Sequence, residues 1–287
     1  MNPIDIPITT IGPGSQPDEG DRFDFMEMPK GMFRHDCISL PEPEDMASLP
    51  GARQLIRQLQ QAITRYEYGA PGIQLPIELR AAERDLINQI LGEGEVSINV
   101  ELDEGRVQVQ ESVLTGIWRV QTLDADGRLV ADALEVADIP AIVRERSAAG
   151  GRKLDVSLEQ LPEGVQNAPP LLLEIQDKLD EYQPGQPPHV INLSLLPLTD
   201  ADLILLGERL GVGPAIILSR GYGNCRIGST ALEGVWWIKY YNSQDALILN
   251  TIEIVDMPEV ALAAPEDIED SIERVNEIAQ LYSEEHV

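Results

Sequence analysis

At 287 residues, 43% hydrophobic but only 5% aromatic, the chain has enough material for a folded body with a mainly aliphatic core. Its 49 acidic residues against 21 basic ones leave a formal charge of −28, which argues against nucleic acid or an anionic membrane as partner and favours a cationic one. Two cysteines, Cys37 and Cys225, cannot make a disulfide framework. No apolar stretch approaches the roughly 20 residues of a membrane span, and the N-terminus lacks the basic and apolar regions of a signal peptide. The expected compartment is the cytoplasm, with no membrane insertion.

Residues 1–50 read as an irregular N-terminal arm, punctuated by Gly12-Pro13-Gly14, Pro29-Lys30-Gly31 and Pro41-Glu42-Pro43. The arm holds Met1, Met26, Met28, Met32 and Met46, and a cluster of Phe23, Phe25 and Met28 suited to packing on a body. A first module over 51–146 opens with an amphipathic helix, Ala52–Arg65, whose Leu55, Leu59 and Ile63 share one face. A short strand near Ile73–Pro76 and a helix over Ala81–Leu91 follow, the helix ending at Gly92. Strands are predicted at Glu95–Glu101, Arg106–Ser112, Gly116–Thr122 and Leu129–Val136, the last two joined by a hairpin at Asp124–Gly127. A linker over 147–167, with Gly150-Gly151 and Pro162, leads to a second module over 168–262. That module repeats the series as a helix Leu171–Tyr182, a strand Val190–Leu195 and a helix Thr199–Leu210. Strands Ala215–Ser219, Cys225–Thr230, Val235–Tyr241 and Leu247–Val255 complete it. An acidic C-terminal helix over 263–287 starts at Pro265, with Ile268, Ile272, Val275 and Ala279 on one face. From 251 to 287 there are 11 acidic residues and 1 basic, either a solvated face or a docking surface for Lys and Arg.

The two modules are copies. At an offset of 118, residues 111–140 fall on 229–258 without a gap and match identically at 7 of 30 positions, among them Trp118 on Trp236 and Pro140 on Pro258. About two matches would be expected from ordinary composition. Upstream the register slips by one, placing Leu91-Gly92-Glu93-Gly94 on Leu210-Gly211-Val212-Gly213. The fold class is therefore α+β: two tandem, similar α/β modules with small, mostly antiparallel sheets and packed helices.

Chemistry is sparse. His35, His189 and His286 are scattered, and in His35-Asp36-Cys37 adjacent side chains of an extended chain diverge, so no metal site is expected. Gly221-Tyr-Gly-Asn224 lacks the lysine and helix start of a phosphate loop. No catalytic residue and no cofactor are predicted. The segment that breaks the duplication is Ser219–Ile227, where the first copy has the routine turn Leu102–Val107. It brings together Arg220, Tyr222, Gly223, Asn224, Cys225 and Arg226, the candidate partner-binding residues. Two arginines would lower the pKa of the Cys225 thiol, whereas Ile227 beside it favours a buried, structural one.

Gly221-Tyr-Gly-Asn-Cys-Arg-Ile227, Ser229-Thr230, Val235-Trp236, Tyr240-Tyr241-Asn242 and Thr251–Val260 resemble the C-terminal region of the HupH hydrogenase expression family, of HyaF and HoxQ type. Met26-x-Met28-Pro29-x-Gly31-Met32 and Pro41-Glu42-Pro43 extend the likeness to the N-terminus. The resemblance implies an accessory chaperone or scaffold for maturation of an uptake nickel–iron hydrogenase. Its implied partners are the precursor of the iron–sulfur small subunit, before twin-arginine export, and other hydrogenase accessory proteins. No catalytic residue comes with it. The alternative class is a redox or iron–sulfur transfer protein using Cys225, with or without Cys37.

Overall fold

The protein is described by a computed structural model covering residues 40–42, 46, 48–149, 151–159, 161–221 and 223–282. The arm's Phe23, Phe25 and first four methionines, the trio His35-Asp36-Cys37, Tyr222 and His286 lie outside the described residues.

The chain order is α1 (Pro50–Arg65), β1 (Ile73–Pro76), α2 (Ala81–Leu91), β2 (Val96–Glu101), β3 (Arg106–Glu111), β4 (Ile117–Leu123), β5 (Leu129–Val136) and α3 (Ala141–Ala148). Then come α4 (Ala168–Glu181), β6 (His189–Asn192), α5 (Asp200–Leu210), β7 (Ala215–Ser219), β8 (Asn224–Ser229), β9 (Val235–Tyr241), β10 (Leu247–Ile254) and α6 (Pro265–Leu281). The strands form one ten-stranded sheet in the order β1-β5-β4-β3-β2-β7-β8-β9-β10-β6, antiparallel throughout. The two small sheets expected from sequence are thus halves of one. They have mirrored strand orders and meet where β2 pairs with β7, Ile98 opposite Ile217. Joining there hides two edges that would otherwise present unpaired backbone groups.

The halves repeat in detail. Asp124 Oδ1 accepts the N–H groups of Asp126 and Arg128 across the β4–β5 hairpin, and Asn242 Oδ1 accepts those of Gln244 and Ala246 across β9–β10. The left-handed position is Gly127 in one hairpin (φ +77°) and Asp245 in the other (φ +58°), a residue type that tolerates it. Trp118 and Trp236 are fully buried, and their indole N–H groups donate to the carbonyls of Ala137 (2.9 Å) and Asp256 (3.3 Å). A buried carboxylate ties together the two helices of each module. Glu83 accepts the N–H groups of Gly51 and Arg80, and Asp202 accepts those of Gln166, Asn167, Ala168 and Thr199.

The sheet has two unlike faces. On the helix face, α1 and α2 cover Leu134 of β5, while α4 and α5 cover Val235, Ile252 and Ile254. On the opposite face, α3 lies against β2 and β7, its first N–H donated to Glu135 at 2.8 Å. The segments that leave each module cross to the other. Residues 151–165 pack on the second module through Leu154, the Gly151–Leu232 bridge and an Arg209–Asp155 ion pair. In the corresponding position, α6 packs on the first module, with Ile268 beside Gly116 and Val275 and Ile278 against Leu55 and Leu59. Arg144 on α3 bridges the equivalent carboxylates Asp138 (2.8 Å) and Asp256 (3.5 Å).

Candidate functional site

Alternation along β8 divides the predicted site between the two faces. Cys225 points to the α3 side, opposite Tyr240, and is 5% exposed. Burial pushes its thiol up to about 12, with the Glu253 carboxylate adding to the rise and a hydrogen bond with Tyr240 opposing it. The flanking arginines do not reverse this, because Arg226 emerges on the other face.

On the helix face, Asn224 and Arg226 of β8 stand opposite Tyr241 and Lys239 of β9, with Leu218 of β7 beside Arg226. The Arg226 guanidinium lies over the Tyr241 ring, 4.6 Å from its centroid, and the Lys239 ammonium over the Trp237 ring at 5.5 Å. Trp237 Nε1 donates to Asn250 Oδ1 at 2.6 Å. Two cations stacked on two aromatics thus form a strip between the helix pairs, a local positive island in a strongly acidic protein.

The strip ends at the turn the sequence singled out. Arg220 N–H donates to the Glu95 carbonyl (3.1 Å), and Asn224 Nδ2 donates to Asp245 Oδ1 (3.1 Å). Gly223 holds φ +104°, which requires glycine. Glu95 Oε2 lies 2.3 Å from where a Cβ on Gly221 would stand. Asn224 and Arg226 are therefore brought to one end of one face, beside the turn at which the Arg220 backbone is held, and Cys225 is on the other. From sequence, Trp237 and Lys239 were not singled out, and Tyr241 entered only as part of the Tyr240-Tyr241-Asn242 resemblance. Their signal was the period-two spacing on β9, which puts all three on the side of Arg226.

A second charged feature is α6. Its exposed residues include Glu266, Asp267, Glu269, Asp270, Glu273 and Glu277, against one cation, Arg274, which pairs with Glu277 at 3.1 Å. Among the described residues, no group of three or more His, Cys, Asp or Glu could hold a metal ion. No helix among them is long and apolar enough to cross a membrane.

This architecture defines a duplicated α/β protein, two copies of one module sharing a sheet. The family described as "HupH hydrogenase expression protein, C-terminal conserved region" matches the chain twice, over residues 49–161 and 165–282, once per copy. The chain is 44% identical over 97% of its length to the hydrogenase expression/formation protein HoxQ of Cupriavidus necator, covering 98% of that protein. It is 46% identical to HupQ of Azotobacter chroococcum, over 94% of this chain and 95% of the relative. Against HupH of Rhodobacter capsulatus the identity is 41%, over 96% and 97% respectively. The chain belongs to the HupH hydrogenase expression family.

Proposed function

We propose that the protein acts in hydrogenase maturation as a chaperone or scaffold in the cytoplasm, holding an immature subunit rather than catalysing a reaction. The client is the precursor of the iron–sulfur small subunit, held before twin-arginine export. Membership of a family of hydrogenase expression and formation proteins supports the maturation role. The observation that carries the choice of client is the α6 ridge: six exposed carboxylates on one helix, suited to a segment bearing paired arginines. Burial of Cys225 weighs against the alternative, in which a thiolate transfers electrons or clusters.

The test is affinity for the purified small-subunit precursor, beside a precursor whose two signal arginines are glutamines, at about 0.05 M and about 0.5 M salt. That rise shortens the Debye length from about 14 Å to about 4 Å. We expect binding to weaken at least about tenfold with salt and with loss of the arginines. Affinity that is flat in both would remove the ridge from the interface. Binding of the large subunit alone would make the client wrong.

A further inference from the structure

The chemistry of the β8–β9 strip is opposite to that of the rest of the molecule, so a partner suited to the acidic surface does not suit the strip. Arg226 and Lys239 call for carboxylates. Tyr241, Trp237 and the adjacent Leu218 call for aromatic or thioether side chains interleaved with them. The Nε of Arg226 is buried and makes no hydrogen bond among the described residues. One segment of the chain has the matching composition: Phe23-Asp24-Phe25-Met26-Glu27-Met28 in the N-terminal arm. We propose that the strip is the docking site of this arm segment, with Asp24 and Glu27 directed to Arg226 and Lys239 and the Phe and Met side chains to the aromatic and apolar floor.

Length permits it. The described chain begins at Leu40, and the Pro41 carbonyl accepts a hydrogen bond from Tyr282 at the end of α6 (2.8 Å). From Met28 to Leu40 an extended chain reaches about 40 Å. Ten strands at about 4.8 Å spacing span about 43 Å, so β8 and β9 lie within that reach. A tether of this length also holds the segment at about millimolar effective concentration, which an untethered peptide would have to match.

The experiment uses the full-length protein carrying Phe25→benzoylphenylalanine, irradiated and digested, with the cross-linked peptides identified by mass spectrometry. The expected products join the arm to peptides from residues 216–241. Products mapping to another surface, to a second copy of the chain, or to nothing would overturn the proposal. A second protein adds Asp24→Lys and Glu27→Lys, which leave the described body untouched. Cross-linking to the strip should fall at least about tenfold, and an unchanged yield would overturn the charge pairing.

Discussion

Cys225 sits between two arginines in sequence, which would favour ionisation, and in a closed core in space, which opposes it. The core wins because a strand sends neighbouring side chains to opposite faces. In a Cys37→Ser background, Cys225 should therefore react with a thiol reagent at pH 8 at least about a hundredfold more slowly when folded than when unfolded in urea. Cys225→Ala should cost about 1–2 kcal/mol, as a small core truncation does. Equal labelling in the two states would restore the redox reading. Glu111 ends β3 and is 6% exposed, with its equivalent in the second copy the neutral Ser229. Burial pushes its carboxyl up to about 7, the N–H groups of Gly116 and Val96 oppose the rise, and Glu95 and Asp267 add to it. A pKa raised on folding gives stability that is complete below the unfolded value, near 4.5, and is lost as pH climbs through 7. Glu111→Gln should thus raise unfolding free energy at pH 8 by on the order of 1–3 kcal/mol and change it much less at pH 5, as read by urea titration.

Among the elements, the paired buried carboxylates do the same work unequally. Burial alone would raise the pKa of Asp202. The N–H groups of Thr199, Ala168, Gln166 and Asn167 hold it below the ordinary value, so its contribution is present at neutral pH and lost as pH falls through the folded pKa. Asp202→Ala orphans the start of α4 and should cost about 2–4 kcal/mol in a denaturant melt at pH 7. Glu83→Ala, which releases two N–H groups rather than four, should cost less. Such long-range caps are invisible in sequence, since Asp202 reads only as a residue three after Thr199. The elements themselves were legible, because helix ends carry Gly92 and Gly211 and strands such as β3, Arg106–Glu111, alternate. β1, β5, β7 and β9 occupy the residues expected of them, and α1 extends two residues further, to Pro50. The joining of two sheets into one was not legible, because β2 and β7 read alike whether they lie at an edge or a centre. The division of Arg226 from Cys225 was readable from period two alone. The stacking of Arg226 on Tyr241 was not, since the pairing of β8 with β9 sets it.

At the scale of the whole molecule, the crossed segments bind the halves more firmly than a linker would. Ile268, Val275, Ile278, Ala279 and Tyr282 are buried where α6 meets the first module. At about 1.5–3 kcal/mol for each fully buried large side chain, that contact is on the order of 5–10 kcal/mol, comparable to the stability of a whole domain. A protease site introduced at Gly150-Gly151 should therefore cut the chain without separating it. The two pieces should elute together in gel filtration and part only in denaturant, whereas independent elution in buffer would show the exchange to be weak. The same exchange sets an order of events during synthesis. The first module leaves the ribosome more than a hundred residues ahead of the helix that closes it, so its Leu55 and Leu59 face waits, uncovered, until α6 has been made. The acidic ridge is borne by the same helix, so it too takes shape only after both modules have been made.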